Sequence, residues 1–92
     1  MSYRIAFAKQ AAKELDRLSD KVHVKVIERL VQLEQNPRIF GAEKLSSINA
    51  YKLRAGDLRI VYEIDDSSKT VTVLIVDDRK QVYINVSNVN YR

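Results

Sequence analysis

The stretch Tyr51-Lys52-Leu53-Arg54-Ala55-Gly56-Asp57-Leu58-Arg59-Ile60-Val61-Tyr62-Glu63-Ile64 decides the reading of this chain. Its apolar residues recur at every second position, the period of a half-buried strand. Gly56-Asp57 fits a two-residue hairpin loop, although the reverse order, Asp-Gly, is the stronger hairpin signal. That loop fixes the parity. Ala55 then pairs with Leu58, Arg54 with Arg59, Leu53 with Ile60 and Lys52 with Val61. One face carries Tyr51, Leu53, Ala55, Leu58, Ile60, Tyr62 and Ile64 and is suited to packing. The other brings together Lys52, Arg54 and Arg59, with Glu63 the only acid of these two strands on that side. Like charges placed directly opposite each other destabilise a sheet. A plain solvated face would mix signs, so the cluster points to an anion.

Outward from the hairpin, the N-terminal half reads as strand and helices. Tyr3-Arg4-Ile5-Ala6-Phe7 alternates like a half-buried strand. Ala8, Ala11, Ala12, Leu15 and Leu18 recur at helical spacing. Ser19-Asp20 breaks that pattern and offers N-cap residues for a second helix. Its stripe is Val22, Val26, Ile27, Leu30, Val31 and Leu33, and Asn36-Pro37 stops it. A break this short implies an antiparallel helical hairpin. Residues 38–49 read as a polar connection. Beyond the β-hairpin, Asp65 to Lys69 is a turn and Thr70 to Val76 a β-branched strand, ended by Asp77-Asp78-Arg79-Lys80. The segment from Gln81 to Arg92 fits either a last strand or an extended tail. The layout is β-α-α-β-β-β, an α+β fold with a helical hairpin on one face of an antiparallel sheet, and 1–92 reads as a single domain.

Composition excludes several functions. The 92 residues include no cysteine, one histidine and two glycines. Disulfide frameworks, thiol nucleophiles, histidine-rich metal sites and glycine-rich phosphate loops are therefore not expected. No apolar run approaches the ~20 residues that span a bilayer, and residues 1–10 lack the pattern of a signal peptide. A small cytoplasmic protein is the expectation. Lys and Arg number 16 against 12 Asp and Glu, a net charge of +4. That surplus is modest, so the placement of the charges carries the argument.

Arg79 and Tyr83 follow the last clear strand. Cations beside an aromatic ring suit RNA, because phosphates meet the charges and a base stacks on the ring. Other polar residues read as ordinary surface. His23 is expected to be exposed, and Glu28 and Glu34 to form solvated pairs beside Lys25 and Arg38. No pair of carboxylates has the setting of a glycosidase or metal nuclease.

Taken together, Tyr51-Lys52-Leu53-Arg54, Leu58-Arg59-Ile60-Val61-Tyr62 and Arg79-Lys80-Gln81-Val82-Tyr83 make the chain similar to the RelE branch of the RelE/ParE toxin superfamily. The likeness extends to the opening strand, to Asn36-Pro37-Arg38 and to Lys44-Leu45. It implies a toxin of a type II toxin–antitoxin pair that cuts mRNA in the A site of the 70S ribosome, without metal or organic cofactor and away from membranes. It implies a RelB-like antitoxin with a segment that orders on binding. By position, catalysis falls to Lys52, Arg54, Arg59, Arg79 and Tyr83, with Lys80 joining them in RNA binding. Two departures stand out. Some relatives carry lysine where Arg54 stands, and many carry Gly-His or Gly-Lys where Asp77-Asp78 stands. The alternatives within the same fold are a ParE-like inhibitor of DNA gyrase and a module that binds ribosomes without cutting.

Cleavage by the 2′-hydroxyl needs a base, cations for the phosphorane and an acid for the leaving 5′-oxygen. Arg54 and Arg59 suit the phosphate through their fork of donors. Arginine stays protonated, which leaves Lys52 as the better base. Its ordinary pKa of about 10.4 must then fall far, and like-charged neighbours push it down. Positioning by the ribosome is the other route to rate.

Overall fold

The computed structural model describes residues 2–45 and 49–77. Its elements are β1 (Arg4–Phe7), α1 (Lys9–Asp16), α2 (Asp20–Gln35), β2 (Glu43–Lys44), β3 (Tyr51–Ala55), β4 (Leu58–Asp65) and β5 (Thr70–Asp77). The strands form one sheet in the order β1-β5-β4-β3-β2. Both helices pack on one face of it. Ala8, Ala11, Val26, Leu30 and Leu33 meet Leu53, Ile60, Tyr62, Val71 and Val73 in the core.

The hairpin register is the one that the two-residue loop dictates, with Leu53 opposite Ile60 and Arg54 opposite Arg59. Gly56 supplies the positive φ of 63° that this turn requires. Ser19 caps α2 through its backbone, its carbonyl accepting from the His23 amide at 2.8 Å. Asn36 leaves the helical region before Pro37, as the proline demands.

Two features go beyond the alternating pattern. β1 joins the sheet edge parallel to β5, Ile5 opposite Val71, so the sheet is mixed rather than wholly antiparallel. And the connection between α2 and β3 contains the two-residue strand β2, with Glu43 opposite Lys52. Past Phe7 the edge of β5 is sealed by α1 instead. There the Glu14 carboxylate accepts from the Val76 amide at 2.9 Å, removing an unpaired edge donor.

Candidate functional site

The face of the sheet turned away from the helices carries the predicted cations in two adjoining rows. One row reads Glu43, Lys52, Val61 and Ile75 across β2 to β5. The other reads Arg54, Arg59 and Asp77 across β3 to β5. Directly opposite side chains have Cβ atoms only about 4.5–5.5 Å apart. Lys52, Arg54 and Arg59 thus form a compact group that no single strand could present.

Each row is bordered by a carboxylate that sequence reasoning did not place there. Glu43 Oε1 lies 3.4 Å from Lys52 Nζ, whose side chain is only 15% exposed. A two-residue strand has no readable period, which is why the partner was missed. Asp77 is not part of a loop. It is the last residue of β5, nearly buried at 9% exposure and in register with Arg59. An opposite charge across the ladder offsets the Arg54–Arg59 repulsion. Asp77, one of the two residues that depart from the family pattern, thus stands in the sheet itself, across the ladder from Arg59.

Arg54 is exposed and Arg59 half-buried. Within the first row, Val61 and Ile75 are fully buried, so the face is not solvated throughout. Further along it, Glu63, Asp65, Thr70 and Thr72 line a polar groove of about 740 Å3 at the far end of the sheet. Arg79, Lys80 and Tyr83 lie outside the described residues.

The far end is organised differently. The Arg38 guanidinium grips Asp66 with two bonds of 3.1 and 2.9 Å and donates to the Tyr51 hydroxyl at 3.3 Å. Tyr3 donates to the same carboxylate at 2.7 Å. These bonds, the one from Arg38 foremost, hold the Asp66 carboxyl down at about 2. Arg38 therefore pairs with Asp66, not with Glu34 as its sequence neighbourhood suggests. Tyr51 stacks on Tyr62 at 5.8 Å between ring centroids. The buried Tyr62 hydroxyl donates to the Pro37 carbonyl at 2.7 Å. Burial raises its pKa above the ordinary tyrosine range, keeping it a donor. His23, expected to be exposed, is half-buried.

Comparison with known proteins follows this geometry. Residues 5–83 match the model of the family described as ParE toxin of type II toxin-antitoxin system, parDE. The mRNA interferase toxin RelE of Escherichia coli K12 is 31% identical over 87 residues, covering 90% of this chain and 92% of that protein. Toxin RelG of Mycobacterium tuberculosis is 29% identical, covering 90% of this chain and 98% of that protein. The toxin in the crystal structure of the intact E. coli RelBE toxin–antitoxin complex superposes with a TM-score of 0.76 at 30% identity, over 86% of this chain and 99% of that one. The chain belongs to the RelE/ParE family of type II toxins. The family model carries the ParE name, whereas these individual relatives carry RelE-type names.

Among the described residues no group of three or more His, Asp or Glu is placed to hold a metal ion. No helix among them is long and apolar enough to cross a membrane.

Proposed function

We propose that this chain is a ribosome-dependent endoribonuclease that cuts mRNA in the A site, acts in the cytoplasm and is neutralised by a RelB-like antitoxin. One observation carries the reading. The register of β3 and β4 brings Lys52, Arg54 and Arg59 together on the face of the sheet away from the helices, as a set of cations suited to one phosphodiester.

In this mechanism the mRNA 2′-oxygen attacks the adjacent phosphorus and the 5′-oxygen leaves. The 2′-hydroxyl passes its proton to solvent water and the leaving oxygen takes one from solvent water, so the step is neutral in protons overall. Arg54 and Arg59 meet the non-bridging oxygens, whose charge grows in the phosphorane. Fixed cations stabilise such developing charge at no cost in reorganisation. Lys52, whose Nζ lies 3.4 Å from Glu43 Oε1, brings an amine to the same phosphate. It joins the two arginines as a charge stabiliser, and Glu43 holds it in place. Arg79 and Lys80 extend the phosphate contacts, and Tyr83 stacks on an mRNA base. On that account Tyr83→Phe retains activity and Tyr83→Ala loses it.

Primer extension on a defined mRNA with programmed 70S ribosomes tests the proposal. Cuts at the A-site codon that require ribosomes, and that vanish in Lys52→Ala, are the expected result. Intact mRNA together with gyrase-dependent DNA breakage overturns it in favour of the ParE-type activity.

A further inference from the structure

A second cationic surface lies around the edge of β3, outside the cluster on the sheet. At about 100° per residue, Lys21, Lys25, Arg29 and Gln32 share an arc of about 80° on one flank of α2. This flank meets the tip of the hairpin. Arg29 Nε donates to the Arg54 carbonyl at 3.0 Å and Nη1 to Gln32 Oε1 at 2.9 Å. The first bond satisfies a carbonyl on a stretch of β3 that β2 does not reach. Both bonds fix the guanidinium, and its remaining donors have no partner among the described residues. Lys25 reaches over the turn, and a methyl group on Gly56 would stand 3.3 Å from its Cδ and 3.6 Å from its Nζ. Lys25, Glu28, Arg29, Gln32, Ala55 and Gly56 enclose a notch of about 470 Å3.

Two cations, Lys25 and Arg29, and one carboxylate, Glu28, line this notch, which leaves it a net positive charge. Glu28 stands three residues beyond Lys25, a spacing that allows a helical ion pair. Yet neither Lys25 nor Arg29 has a carboxylate within 4 Å among the described residues. A fixed guanidinium, a second amine and an amide around a cleft whose wall is a glycine are suited to a phosphate group approaching the backbone. Arg54 links the two surfaces. Its carbonyl anchors Arg29 at the edge, and its side chain stands in the cationic cluster opposite Arg59.

We propose that this notch seats a backbone phosphate of folded ribosomal RNA, so that the toxin grips the ribosome with α2 while the sheet face holds the mRNA. The inference rests on the ribosome-dependent reading above. It assigns the two anions to different elements, one for docking and one for chemistry.

The experiment compares the purified full chain with a Lys21→Gln/Lys25→Gln double variant. Neither residue lies in the cationic cluster of the sheet. Co-sedimentation with 70S ribosomes across a salt series gives affinity and salt slope, and cleavage on programmed ribosomes gives kcat and KM. Binding weakened about tenfold, with a salt slope smaller by about 1–2, is the expected result, since each lost phosphate contact removes close to one from the slope. KM rises and kcat at saturating ribosomes holds. Unchanged affinity and slope in a double variant that still cleaves overturn the notch while leaving the nuclease reading intact. Weakened binding to the antitoxin with unchanged binding to ribosomes assigns the flank to a protein partner and also overturns it. A wild-type chain that neither binds nor cleaves on ribosomes overturns both readings.

Discussion

Arg38 and Arg59 stand at opposite ends of the β3–β4 hairpin, and their surroundings differ in kind. At the open end, Arg38 is committed three times over, to both oxygens of Asp66 and to the Tyr51 hydroxyl. Tyr3 adds its own bond to Asp66. Every strong group there has a partner, and Tyr62 anchors to Pro37 beneath. At the tip end, Arg54 and Arg59 face each other, with Asp77 in register beyond Arg59 offsetting the repulsion only in part and no ion pair from either arginine among the described residues. Folding tolerates that arrangement at some cost. An arginine whose bonds are all made inside the protein supports the fold, whereas one held against a like charge is available to an outside anion. The comparison separates two arginine roles that composition cannot distinguish.

The largest effect should come from the tip end. Arg54→Ala is predicted to lower ribosome-dependent cleavage on the order of 100-fold, the scale of removing one preorganised donor to developing charge. Its denaturation midpoint should not fall, because an exposed surface change with a repulsion relieved stays within about 0.5 kcal/mol. A matching loss of stability would erase the distinction between the ends.

The open end should show the reverse. Tyr62→Phe strands the Pro37 carbonyl and should cost about 1–3 kcal/mol in chemical denaturation, while the rate per folded molecule is kept. Gly56→Ala tests the turn that joins the cationic surfaces. A non-glycine residue at this positive φ costs about 1–2 kcal/mol, and the new methyl also meets Lys25 at 3.3 Å.

The smallest effect concerns pH. The Asp66 carboxyl, ordinarily at 3.8, is lowered to about 2 in the folded chain. A depressed carboxyl stabilises the fold above its unfolded pKa and loses that contribution as pH falls through the folded one. The wild type should therefore lose a small increment of stability between about pH 4 and 2, and Asp66→Asn should not. Both groups of the pair are exposed, so the increment is modest and shrinks with salt. A melting series across that pH range checks it.

The hairpin and its two faces were legible in the sequence because a two-residue loop fixes parity for every later residue. The helices were legible from their stripe and from Asn36-Pro37. Other features depend on contacts between distant segments. β1 lies parallel to β5, a pairing across more than sixty residues that alternation in Tyr3–Phe7 does not encode. Glu43 sits on a strand too short to show a period, and the role of Asp77 appears only once β5 is set against β4. The link between Arg38 and Asp66 spans 28 positions. Lys25 looked like half of a helical ion pair, and only the structure shows it at the hairpin tip with no ion pair among the described residues.

The most direct test of this division of labour is single-turnover cleavage on programmed ribosomes by Arg59→Ala and Arg38→Ala, with a denaturation curve for each. The account predicts that Arg59→Ala is folded and does not cleave, and that Arg38→Ala cleaves at the wild-type rate with a lower midpoint. Equal losses of cleavage in the two variants, or none in Arg59→Ala, would contradict it.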